Sequence, residues 1–306
     1  MRDFNFLVSC GDAPLILDVI VWLLGITLVP VLTLSTIRKV KARLQNRVGP
    51  PLLQPFMDLI KLSRKSETLS ETFTWIFRST AAINLAVMLL LASMVPWLSS
   101  KPTFSLFGIS DLFLVFYLFA ASRLFTVLAA MDSGSSFGAF GASREVTLAF
   151  LVEPAAVLSM ASLGALSHSS NLNVIFSFSN SALAGSPIIW LLCGTAIFIA
   201  SLVELSRAPV DDPTTHLELT MVHEAMILEA SGRNLALIEY AHWLKMALLF
   251  GLVVQCYMRA SAVIWNAGEL CHAVVSVLGI FLLAAFVGVL ERVVGKLQWA
   301  NVPEFV

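Results

Sequence analysis

Seven stretches of about twenty mostly apolar residues divide the chain: about 14–37, 77–98, 111–131, 145–167, 187–207, 234–258 and 269–291. A bilayer core about 30 Å thick takes about 20 helical residues per crossing, so each stretch predicts one membrane-spanning helix. Two of the polar intervals between them carry a pattern of their own. In the first, 38–76, the Gly49-Pro50-Pro51 break is followed by Leu52, Leu53, Phe56, Leu59 and Ile60 at helical spacing, with Gln54, Asp58 and Lys61 at other positions. This predicts an amphipathic helix at the interface, with one face for lipid and one for a docked partner. In the second, 207–233, Thr215 and Glu218 form a capping-box pattern, and Leu217, Met221, Ala225 and Leu228 mark an apolar stripe that stops at Ser231-Gly232. The expected fold is all-α: a single integral membrane domain over 1–306, with about seven transmembrane helices plus cytoplasmic amphipathic helices.

Charge orients this domain. With the amino terminus outside, the inside loops and tail hold Arg38, Lys39, Lys41, Arg43, Arg47, Lys61, Arg64, Lys65, Arg78, Arg144, Arg207, Arg233, Arg292 and Lys296, and the outside holds Arg2, Lys101 and Arg259. Lys and Arg in short loops stay on the cytoplasmic side, which makes 38–76 the first cytoplasmic loop and 207–233 an acidic cytoplasmic loop. Trp97, Trp190 and Trp265 then fall near the outer interface, where amphipathic rings belong. Asp211, Asp212, Glu218, Glu224 and Glu229 in the second loop oppose the basic first one, so the two insertions are expected to share one surface.

Composition narrows the chemistry. Of 306 residues 58% are hydrophobic and 13% charged, with a formal net charge of −1, which sets aside nucleic acid as a ligand. Cys10, Cys193, Cys256 and Cys271 lie far apart without a Cys-x-x-Cys pair, so no iron-sulfur or zinc site is expected in this chain and any redox cofactor belongs to a partner. His216, Glu218, His223 and Glu224 suggest a metal set, but His223-Glu224 lacks the second His of a zincin helix; a solvated acidic face and a role in ion traffic are the other readings. The first residues lack a basic region followed by a small-residue cleavage site, so no removable signal peptide is expected.

Ionisable residues inside spans are costly and mark function. Glu145 starts the fourth expected span, Glu204 ends the fifth, and Glu239 lies about 7 Å into the sixth at about 1.5 Å per residue. The three share the cytoplasmic third of the bilayer and form a candidate proton or ion path. Deeper sit Arg123, Glu153, His242 and Lys245; an Arg123 to Glu153 ion pair tying two helices together is the purely structural alternative. Asp18 carries no assigned role.

The motifs resemble a known family. "RVGPPLLQPFMDLIKL" is similar to the first inside loop of respiratory complex I subunit 1, the quinone-site membrane subunit of NADH dehydrogenase. "ELSRAPVDDPTTHLEL" is similar to that family's E-x-x-R-x-P-F-D segment, and "ALIEYAHWLK" to the span that follows. "ASRLFTVLAAMDSGSSFGAFGASREVTLAFLVEP" resembles a sister branch, the energy-converting (group 4) nickel-iron hydrogenases that include formate hydrogenlyase. The resemblance implies that Glu145, Glu204, Asp211, Glu218 and Glu239 stand on the acidic path linking redox module to membrane arm. It also implies that Arg43, Arg47, Gln54, Asp58 and Lys61 touch the soluble redox subunits. Two departures stand out. "HLELTMVHEAMILEASG" replaces a Gly-containing E-L-V-x-G-x-x-x-E-Y segment, which argues against quinone binding, and "KLQWANVPEFV" stands where the family adds an eighth span, so either this member is short or a partner covers that face.

The resulting expectation is a non-catalytic anchor subunit of an oxidoreductase complex in the inner membrane of a prokaryote. It would dock a nickel-iron hydrogenase large subunit and an iron-sulfur small subunit, and pass their charge changes to antiporter-like membrane subunits that move H⁺ or Na⁺. The nickel-iron centre and iron-sulfur clusters would sit in those partners, with no cofactor and no catalytic or metal-ligating residue in this chain. Two alternatives remain: a quinone-site subunit of an NADH:quinone oxidoreductase, and a free-standing secondary transporter, for which the sequence shows no inverted repeat.

Overall fold

The structure, a computed structural model, describes residues 12–68, 70, 73–98, 110–176, 187–211, 221–261 and 269–294, of which 12–21, 269 and 270 by backbone alone. Among these residues the chain is helical, and seven helices are long and apolar enough to cross a membrane. The protein is an all-α polytopic membrane protein.

Helix α1, Asp12–Leu44, runs past the apolar stretch because "RKVKARL" is made of good helix formers, so Arg38, Lys39, Lys41 and Arg43 ride on its last turns. Lys41 and Arg43 there face the negative end of the helix dipole. The helix expected at the interface is α2, Gln54–Ser63, opened by Pro55 in its first turn. Leu52 and Leu53, expected on its apolar stripe, precede it and are exposed. Helix α3, Trp75–Met94, is capped by the Thr74 hydroxyl, which accepts from the Ile76 N–H; the Thr74 N–H and hydroxyl in turn both donate to Asp132 Oδ2 at 2.9 Å. That contact ties the start of α3 to the end of α4, Leu112–Asp132.

Helix α5, Ser136–Ser167, starts nine residues before the expected boundary at 145. The early part, "SFGAFGAS", reads as a loop by its Gly and Ser content, but packing keeps it helical: a Cβ on Gly138 would lie 2.7 Å from the Ala130 carbonyl of α4. Glu145 is therefore more than two turns inside α5 rather than at its start. On the opposite side, the short α6, Leu172–Phe176, follows a bridge between Asp111 and Asn171, and the Ser170 hydroxyl donates to Asp111 Oδ2 at 2.6 Å. That bond, and the N–H groups of Phe113 and Leu114, hold the Asp111 carboxyl below the usual range.

Helix α7, Pro187–Glu204, ends at Glu204 rather than 207. Of the second polar insertion, one helical turn and a half is described, α8, His223–Ile227. The expected helix from Thr215 to Ser231 thus stops at Ile227, and Leu228 of its stripe is exposed; Thr215, His216, Leu217 and Glu218 lie outside the described residues. The last two helices are α9, Gly232–Ala260, and α10, Glu269–Val293.

Helix α9 is the hub. It packs on α1, α2, α3, α7 and α10, while α5 packs on α4, α7 and α8. Its apolar membrane-length stretch is 72% buried, against 28% in α5 and α10, whose outward faces are Leu- and Phe-rich. A hub inside an apolar bundle is where a charged side chain meets protein instead of lipid.

Candidate functional site

Three spans meet at one guanidinium, and a fourth reaches it through Glu204. Arg123 of α4 is 7% exposed; its Nη1 donates to Glu153 at 2.7 Å, its Nη2 to Glu204, and its Nε lies 3.4 Å from Glu145. Lys245 of α9 holds the second oxygen of Glu204 at 2.5 Å. Glu145 and Glu153 reach the same guanidinium because eight residues make about two helical turns, which puts both on one face of α5. Glu145, Glu204 and Lys245 are buried or nearly so, whereas the Glu153 side chain is 41% exposed. With every group ionised, two cations face three carboxylates. The polar groups beside them are paired as well: Ser122 donates to Asn84 at 3.1 Å, and Asn84 donates to Thr126 at 2.8 Å.

A second cluster lies beside the charged loops. Glu291 of α10, only 2% exposed, accepts from Arg207 at 3.1 Å and Lys41 at 3.3 Å. The Asp211 carboxylate accepts from the Val222 N–H at 2.9 Å, clamping the start of α8. Gly141 lets α8 come close, since a Cβ there would lie 2.9 Å from the Val222 carbonyl. These contacts set His223 against His242 of α9, rings stacked with centroids 4.2 Å apart. Burial, together with the Lys245 and Arg207 charges, pushes His223 down to about 4, which keeps it neutral at ordinary pH.

Three cavities line up by shared wall residues between the clusters. One of about 190 Å³ is lined by Arg38, Lys41, Arg207, Asp211, Glu224, Glu239 and Glu291. The next, about 40 Å³, is lined by Arg123, Glu145, Glu204 and Lys245, with Asn84, Ser122 and Thr126. His223 and His242 line both. The third, about 130 Å³ and mostly aromatic and aliphatic, shares Arg123 and Glu204 with the second and exposes Glu153. Both polar cavities are roomy enough for water, and the outer one for several molecules.

The structure thus places Arg123, Glu145, Glu153, Glu204 and Lys245 in one network. Glu239, expected beside Glu145 and Glu204, lines the outer cavity with Asp211, and His242 stands between. Glu218 lies outside the described residues. In the first loop Arg43, Arg47 and Lys61 are exposed, and Gln54 donates to Asp58 at 3.0 Å within α2. The two insertions do meet, through Thr68 with Ser231 and Asn234 with Glu67. Glu291, Lys41, Arg207 and His223 escape a sequence reading of the path. Glu291 carried a signal, an acid closing an apolar span opposite a basic loop; the others read as topology charges or as half of a metal motif. Among the described residues no group of three or more His, Cys, Asp and Glu side chains converges to hold a metal ion.

The family model described as NADH dehydrogenase matches residues 17–306. The chain is 32% identical over 223 residues to hydrogenase-4 component C of Escherichia coli strain K12, covering 72% of this chain and 68% of that one. It is 31% identical over 262 residues to formate hydrogenlyase subunit 4 of the same strain, covering 85% and 80%. Among solved structures, a chain of the membrane-bound sulfane sulfur reductase, an archaeal respiratory membrane complex, superposes with a TM-score of 0.74 at 18% identity, covering 95% of this chain and 94% of that one; at that identity the likeness is one of fold.

Proposed function

The chain belongs to the NADH dehydrogenase subunit 1 family, in the branch of group 4 hydrogenase membrane subunits, and from that premise we propose that it is the ion-coupling membrane anchor of a nickel-iron hydrogenase complex. It docks a nickel-iron large subunit and an iron-sulfur small subunit on the face of its charged loops, in the cytoplasmic membrane of a prokaryote with the amino terminus outside. It performs no bond chemistry and holds none of the metal centres itself.

The observation that supports this reading is the series of polar cavities from the charged loops to the Arg123 network. A change of charge at the docked redox module is felt first at Glu239, Asp211 and Glu224 beside the loops. Their field acts across His223 and His242 on Glu204, which Lys245 and Arg123 share. A buried carboxylate held by two cations changes its proton occupancy when either cation is drawn away, because desolvation leaves the ion dependent on its partners. Glu153, exposed at the outer end of the third cavity, is where the disturbance leaves toward an antiporter-like neighbour. The basic and apolar surface of the first loop, with Arg43, Arg47 and Lys61 beside exposed Val48, Phe56 and Met57, suits a protein partner at the membrane surface.

A tagged chain purified with its complex from native membranes tests the docking. Nickel together with iron is expected; flavin and iron without nickel would favour the quinone-reducing branch, and isolation as a lone chain active in uptake would favour a free-standing transporter.

A further inference from the structure

Among the described residues, only His223 and His242 are common to the linings of the outer and the inner polar cavity. The stacked rings therefore form a wall common to the two cavities. On the outer side they face Arg207, Asp211, Glu224 and Glu239, with Arg38, Lys41 and Glu291 farther along the wall. On the inner side they face Lys245, Glu204, Glu145 and Arg123. Acids and cations thus lie on both sides, while among the described residues the side chains common to both linings are imidazoles.

Resting on the ion-coupling reading above, we propose that His223 and His242 are a proton-selective gate, so that the ion passed along this path is H⁺ and not Na⁺. A sodium ion crosses a constriction by exchanging its water for oxygen ligands, as hard cations require. The two stacked imidazoles, the described side chains shared by both cavities, present ring faces and nitrogens in place of the oxygen ligands Na⁺ prefers. A proton needs neither. A neutral ring accepts a proton on one nitrogen from water in the outer cavity, becomes imidazolium, and releases the proton on its other nitrogen to water or carboxylate in the inner cavity; a ring flip then restores the starting tautomer, with no net change in atoms or charge. Rings 4.2 Å apart repel when both are charged, so the pair carries one proton at a time. The low proton affinity of His223 makes the charged state brief, which suits a gate that must pass its proton on.

The test reconstitutes the complex purified through this chain into vesicles, reading a trapped pH dye and radioactive Na⁺ uptake per electron transferred. Proton movement that persists in sodium-free buffer is expected; its loss there, with electron transfer still running, overturns the gate. His223→Gln and His242→Gln are each expected to lower the proton-to-electron ratio at least tenfold, and Glu204→Gln is the comparator. Wild-type ratios in both histidine variants with the ratio lost in Glu204→Gln would refute the gate and leave the coupling reading standing. A wild-type ratio in Glu204→Gln as well would refute that reading itself. To separate proton relay from packing, His223→Ala complex that still carries its partners is supplied with imidazole or with thiazole, a ring of like size but far weaker basicity. Recovery with imidazole alone supports the gate, and equal recovery with both overturns it.

Discussion

At the residue scale the network is decided by how a charge is compensated. Arg123 serves three carboxylates from two helices, so its removal leaves acids stranded in an apolar bundle. Breaking a buried pair by removing one partner costs about 3–5 kcal/mol, and Arg123→Ala is expected to fall in that range or to leave little folded protein in detergent. Arg123→Lys keeps the charge but loses the fork that spans Glu145, Glu153 and Glu204, so it should fold and yet bind the three acids unevenly. Thermal unfolding of the two variants in detergent checks the order. His223 adds a pH dependence whose sign is fixed. Its folded value of about 4 lies below the ordinary 6.5, so the unfolded chain binds the extra proton first. Stability is therefore expected to fall as pH drops from about 6.5 to about 4, and His223→Gln should flatten that part of the profile.

At the element scale the short α8 matters more than its length suggests, because it brings His223 to α9. Its seat is Gly141, where an added Cβ meets the Val222 carbonyl at 2.9 Å and Ala225 Cβ at 3.1 Å. Gly141→Ala is expected to cost about 1–3 kcal/mol as overpacking and to open the loop near α8 to protease, while Gly134→Ala, a glycine with positive φ but nothing within 4 Å, tests backbone strain without a clash. Capping at the loop side makes a separate prediction: Asp132→Ala should lower stability by about 0.5–2 kcal/mol by freeing the Thr74 donors, read by thermal unfolding.

The seven spans were legible because an apolar run of span length has few other uses, and Arg123, Glu145, Glu153, Glu204 and Lys245 were legible because charges inside such runs need a reason. What sequence could not carry was rotation and contact. Glu239 sits within one turn of His242 and Trp243 on α9, and only the packing of α9 against α1 and α10 turns it to the outer cavity, away from Arg123. The early start of α5 was hidden by glycines that look like a loop and act as a close-packing face. Glu291 was read as the end of a span although two basic residues from distant segments converge on it.

At the scale of the whole molecule, a bundle whose hub is the most buried helix puts its ionisable groups along a line across the membrane domain, from the charged loops to a flank lined by Phe113, Phe116 and Tyr117. Exposed Phe150 and Leu158 flank Glu153 on α5, so the exposed acid stands within an apolar surface. An antiporter-like neighbour seated there would cover it, and cysteine at Phe150 is expected to cross-link to that neighbour in native membranes but not to the soluble subunits. The most direct measurement of the central claim is the number of ions moved per electron by the reconstituted complex with and without Glu204→Gln. Loss of ion movement with electron transfer still running is expected. An unchanged ratio would contradict a coupling role for the Arg123 network.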